Sequence, residues 1–205
     1  MESVSPKDIP TILPSLLNCV RMIWEKSNFY NTEDRVAGLL RKISNEIIKR
    51  CREHINLSDM LDGDVEKCMK DLDDSIECGR AWKEIYDKTA VVINKYGREW
   101  KFKADSIFAQ IEAFVQRCND LKEICEGQIQ FARKGKGIVL PKFSGTKGPV
   151  IISVLEEIKE SFKKYLDRIR GSEQDKILDI KSTKWHDDYN LFKTGMKNLD
   201  NMYIN

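Results

Sequence analysis

The residues with the greatest capacity for chemistry are two histidines, six cysteines and a run of lysines set among glycines. His54 stands three residues after Cys51, a spacing that puts both on one helix face and suits a pair of metal ligands. A zinc site wants four ligands, and no second pair at regular spacing appears, so no metal is assigned. His186 precedes Asp187 and Asp188, residue types that combine elsewhere as a base and its orienting carboxylate. Adjacent residues on a helix point apart, so the trio reads as an acid-rich, exposed helix start. Gly135, Gly137, Gly145 and Gly148 invite comparison with a phosphate cradle. That loop needs GxxxxGK followed by Ser or Thr, with a strand before it and a helix after it, so that backbone amides and the lysine converge on phosphate. GKGIVLPK and GTKGPVI lack both the residues and the context. No catalytic residue and no cofactor site is assigned.

What remains of that glycine-rich stretch is charge. Arg133, Lys134, Lys136, Lys142 and Lys147 follow one another with no acid between them, and an acidic protein surface could dock there. The plainer reading is a solvated basic loop. The cysteines, at positions 19, 51, 68, 78, 118 and 125, form no CxxC pair and occupy helical positions where a small hydrophobe would serve, which implies a reducing compartment. Cys118 and Cys125, one heptad apart, are too distant to bond within one helix, and burial is expected to raise their thiol pKa values. Trp24, Trp82, Trp100 and Trp185 sit on or beside apolar stripes, as core residues and not as a stacking platform for bases. A net charge of +2, from 35 basic and 33 acidic residues, excludes the basic excess of a nucleic-acid-binding domain. No apolar run approaches the ~18 residues of a membrane span, and no secretory signal appears, so a soluble chain is expected.

The elements that carry these residues are helices. Hydrophobic residues make up 41% of the 205, and charged residues 33% against the ~25% of ordinary globular chains. Between Asp105 and Phe131, Ile107, Ile111, Phe114, Cys118, Leu121 and Cys125 repeat at 4,3,4,3,4 spacing, flanked by Phe108, Val115 and Ile129 on one side and Ile124 and Phe131 on the other. That face is too wide for a two-stranded coil and requires several neighbours. Asp105 or Ser106 is placed to cap its amino end. Ile151, Leu155, Ile158, Phe162, Tyr165 and Ile169 repeat the spacing, as do Trp185, Tyr189, Phe192, Met196, Leu199 and Tyr203. Such periods belong to bundles whose helices cross at roughly 20°.

Upstream, an irregular lead-in over residues 1–10 precedes a helix to about Lys26, and Phe29 and Tyr30 are expected to pack at the following turn. Val36, Leu40, Ile43, Ile47, Cys51 and Ile55 mark a second helix ending near Leu57, before a polar stretch from Ser58 to Asp64. A third runs from about Asp64 to Tyr96 with Gly79 inside it, where a bend or a close helix contact is expected, and Gly97 stops it. Trp100 and Phe102 are expected to be buried in the connection that follows. Ile138 to Leu140 could form an isolated extended piece at most. The expectation is an all-α, elongated bundle of about six to seven long helices with one long loop near 134–149. Residues 11–205 form the helical segment, and two sub-bundles are expected to meet near 97–104 or across the loop.

Several segments together resemble the amino-terminal tail of dynein heavy chains, the axonemal ones most of all. The pieces that carry the resemblance are RMIW with the following YNT, FVQRCNDLKEICEGQIQF, PKFSGTKG, and the closing WHDDYNLFKTGMKNLDNM, in family order across nearly the whole chain. The resemblance implies a non-catalytic segment of the stem, a rod of helical bundles, with the ATPase ring far downstream. It implies as partners dynein intermediate and light chains, another heavy-chain tail and axonemal docking proteins. It implies cargo in the form of a ciliary doublet microtubule and a place in the cytoskeleton of a cilium or flagellum. The matching residues are mostly stripe positions and loop glycines, so residue-level interfaces do not carry over. The rival reading is a free-standing helical adaptor that binds an acidic protein through the 133–147 loop.

Overall fold

The computed structural model describes residues 4–137, 142, 145–171 and 174–204. Its helices are α1 (Ile9–Lys26), α2 (Glu33–His54), α3 (Leu57–Leu61), α4 (Val65–Tyr96), α5 (Ala104–Phe131), α6 (Gly148–Arg170), α7 (Gln174–Ile177) and α8 (Thr183–Ile204). The described residues contain no strand, so the fold is an all-α bundle, and Ile138 to Leu140 lie outside them. Two compact units are formed: residues 1–55 with 71–119, and residues 56–70 with 120–205. Both units draw on α4 and α5. The connection at 97–103 lies inside the first unit, and the loop that precedes α6 lies inside the second.

In the first unit α1 begins earlier than the two prolines suggest. A 3-10 turn at Pro6–Asp8 leads into Ile9, which is buried together with Leu13, Leu17, Val20 and Trp24. This stripe starts within the segment expected to be irregular. Pro10 costs nothing in the first turn, whereas Pro14 is interior, and burial of the stripe offsets its lost hydrogen bond. The α2 stripe is buried throughout, and Ser44 beside it ties three helices. Its hydroxyl accepts from the Trp82 indole N–H on α4 at 2.9 Å and reaches the carbonyls of Leu40 and, on α5, Ile107 at 3.3 and 3.1 Å. Trp24, Tyr86, Trp100, Phe102 and Phe108 form one aromatic cluster, edge-to-face except for the tilted Tyr86–Trp100 pair, with ring centroids 4.8 to 6.3 Å apart.

α4 runs unbroken through Gly79. The glycine allows close approach, since a Cβ there would lie 2.5 Å from Cγ2 of Val115 on α5. Phe29 and Tyr30, expected to pack, are instead 76% and 65% exposed. Their turn closes through polar contacts: both backbone amides donate to Ser27 Oγ, and Arg35 donates to the Phe29 carbonyl and stacks on the Tyr30 ring. The backbone is thus satisfied without burying either ring.

In the second unit the stretch read as polar contains α3. Asn56 caps it by accepting from the Ser58 amide at 3.1 Å, and Leu57, Met60 and Leu61 are buried. Gln128, fully buried on α5, donates to the carbonyls of Met60 and Leu61 at 3.0 and 3.3 Å. These bonds supply two of the partners that the end of so short a helix lacks. α6 packs on α8, with Phe162 and Phe192 ring centroids 6.1 Å apart, and buries Ile158, Phe162 and Ile169. The first turns of α6 depart from the expected stripe. Ile151 is 39% exposed and Leu155 half-buried, while Leu166 takes a core position outside that spacing.

Candidate partner-binding site

The basic loop leaves α5 through Arg133, which takes a left-handed backbone at φ 52. The amides of Ala132 and Lys134 then both donate to the Gln128 carbonyl, at 3.1 and 3.2 Å, closing the helix end. The loop turns back onto its own protein. Lys134 is half-buried, and its ammonium donates to the Leu61 carbonyl at 2.9 Å. The Lys136 ammonium lies 3.2 Å from an Asp64 carboxylate oxygen, and its amide donates to Glu66 at 2.5 Å. Asp64 also caps α4, accepting from the Lys67 amide at 3.1 Å. That amide, with Lys136, holds the Asp64 carboxyl below the usual range.

The five cations predicted to act together are therefore divided. Lys134 and Lys136 engage the turn between α3 and α4, Arg133 is half-buried at the helix end, and Lys142 and Lys147 stand exposed. The acids of α3 and of the turn after it were the unread part of the site. Asp59, Asp62 and Asp64 pair with Lys67, Arg170 and Lys136 respectively, at 2.9, 2.6 and 3.2 Å. Their density in SDMLDGDVE was the available signal, but nothing local shows that a loop some 70 residues onward folds onto them.

The remaining candidates resolve one by one. His54 Nε2 lies 3.3 Å from Asp71 Oδ1, so the imidazole faces a carboxylate and not Cys51 as a co-ligand. Cys51 hydrogen-bonds through sulfur to Cys78, and that bond together with burial pushes the Cys78 thiol up. A like bond from Cys68, with burial, raises Cys125. The described residues hold no group of three or more His, Cys, Asp or Glu placed to bind a metal ion. His186 is exposed while Asp188 is buried 3.6 Å from Arg168, so the adjacent residues do diverge. All four tryptophans are core residues, between 0% and 5% exposed. No described helix is long and apolar enough to cross a membrane. On α8, burial and the hydrogen bond to Glu123 push the Tyr189 phenol up.

Comparison with known proteins places this arrangement. A family model described as "Dynein heavy chain, N-terminal region 1" matches residues 1–205. The chain is 47% identical over 206 residues to the dynein-1-beta heavy chain of the flagellar inner arm I1 complex of Chlamydomonas reinhardtii, covering 100% of this chain and 4% of that protein. It is 26% identical to the ciliary dynein beta chain of Tripneustes gratilla, covering 98% of this chain and 5% of that one. It is 22% identical to human dynein axonemal heavy chain 9, covering 98% and 4%. The chain thus spans about 4% of the length of the curated relatives it matches.

Proposed function

Because the chain belongs to the family of dynein heavy chain amino-terminal regions, we propose that it is a non-catalytic structural and interaction segment of an axonemal heavy-chain tail. In that role it links the motor to its associated chains and to the doublet microtubule of a cilium or flagellum. The observation that carries the reading is the extent of the match: it runs through every helix from α1 to α8 and stays within the amino-terminal region of far longer relatives. Intermediate and light chains and a second heavy-chain tail are the partners this role requires.

The fold supports a connector. Long helices bury wide apolar faces and leave a surface rich in both signs of charge, with 35 basic and 33 acidic residues in all. Within this reading, contact between the loop and an acidic partner surface narrows to Lys142 and Lys147, because Lys134 and Lys136 already hold the α3–α4 turn.

Sedimentation of the purified chain with intermediate chain, and separately with a second heavy-chain tail segment, tests the proposal. Co-migration with at least one of them is expected. Absence of both complexes from a chain whose helical signal shows it to be folded would overturn the tail reading. The double variant Lys142→Ser with Lys147→Ser is expected to weaken the complex, and an unchanged complex removes the loop from the contact surface.

A further inference from the structure

In the first unit, residues of α1 and α4 line a groove of about 460 Å³. Pro14, Ile85 and Val92 supply its apolar surface, and Val92 is 47% exposed although valine is a core residue type. Met22 and Val91 elsewhere on the same two helices are also 45% and 68% exposed, but they do not line the groove. The charged lining residues are Arg21 and Lys88, the neutral polar ones Asn18 and Thr89, and no acid lines the groove. Along α1 no acidic residue occurs between Ile9 and Trp24. On α4 Glu84 and Asp87 stand next in sequence to Ile85 and Lys88; Glu84 pairs with Lys88 one turn on, and neither acid lines the groove. So exposed a pair is weak, and Lys88 can exchange Glu84 for another carboxylate.

The volume falls within the ~300–1,000 Å³ of small-ligand sites. The walls do not suit one: no lining residue is buried, and a small molecule would find no enclosed polar group to orient it. Two helix faces with apolar residues at their seam and cations along it instead match an amphipathic helix laid lengthwise. We infer that the α1–α4 groove docks an acidic amphipathic helix of a partner protein, its apolar stripe over Ile85 and Val92 and its carboxylates against Arg21 and Lys88. Charge complementarity selects that occupant over a basic helix, which would place like charges together at a desolvated seam. The inference rests on the groove and stands apart from the tail reading.

The test uses the full chain and a labelled helical peptide of about three heptads with leucine on one face and glutamate elsewhere. A second peptide replaces each glutamate with lysine, and a third scrambles the first so that no apolar face forms. Fluorescence anisotropy is expected to show saturable binding of the glutamate peptide, with the other two at least about tenfold weaker. Val92→Asp is expected to lower affinity by a similar factor, and Arg21→Glu to shift preference toward the lysine peptide. Both positions are partly solvent-exposed, and far-UV circular dichroism and the thermal midpoint check that each variant folds. Equal affinity for the two charged peptides, no binding by the wild-type chain, or binding unmoved by Val92→Asp overturns the proposal. So does concentration-dependent dimerisation abolished by Val92→Asp, which would assign the groove to a second copy of the chain.

Discussion

Replacing Ser44 with alanine removes one oxygen at the point where α2, α4 and α5 meet. Ser44 is 1% exposed and Trp82 fully buried, so water cannot replace the acceptor that the indole N–H loses. The other two contacts matter less: the Leu40 and Ile107 carbonyls lie within helices, where backbone amides can serve them. The cost is therefore that of one buried unsatisfied donor, about 1–3 kcal/mol. The cavity left by a hydroxyl adds little.

Urea titration followed by tryptophan fluorescence measures this directly, since Trp24, Trp82 and Trp100 all belong to the first unit. Trp82→Phe is costly in itself because it removes packed ring surface. Once it has removed the donor, however, Ser44→Ala in that background is expected to be nearly silent. The double-mutant cycle should return a coupling of about 0.5–3 kcal/mol. A Ser44→Ala loss below about 0.5 kcal/mol, within the scatter of surface substitutions, or additive single effects, would refute the claim that this hydroxyl satisfies the indole.

Phe114 is 1% exposed at the centre of the α5 stripe, and Phe114→Ala is expected to cost about 3–5 kcal/mol by the same titration. Ellman's reagent applied to the native chain is expected to label Cys19 quickly and the other five thiols only on unfolding, because Cys19 alone of the six is exposed and Cys78 and Cys125 are held protonated. Tyr189 has a folded-state pKa above its unfolded value, so its contribution to stability is whole below the ordinary tyrosine value of about 10. It is lost as pH rises from there toward the folded-state pKa, because the unfolded chain releases that proton first. Tyr189→Phe is expected to flatten this alkaline limb, read from urea midpoints against pH, and an unchanged limb would assign the loss to other groups.

The long helices, the core faces of α2 and α5, and the family were legible in the sequence, because each is written in local order. Alternation of apolar residues every three or four positions has one economical solution, a helix with that face buried, and α2 and α5 bury the stripes their spacing predicts. The tryptophans and the joint at Trp100 and Phe102 follow from the same reasoning. Tertiary structure decided whatever depends on a neighbour far along the chain. Phe29 and Tyr30, or Ile151, carry the same apolar character as core residues, and their exposure follows only from which elements arrive to cover them. Val92 is exposed for the same reason, in a groove lined by residues of α1 and α4 that no other element fills. The basic loop makes the point in charge: five cations were equivalent as a string, and folding gave Lys134 and Lys136 to the α3–α4 turn and Lys142 and Lys147 to solvent. Periodicity reports that a face must be buried, and only three-dimensional closure determines by what.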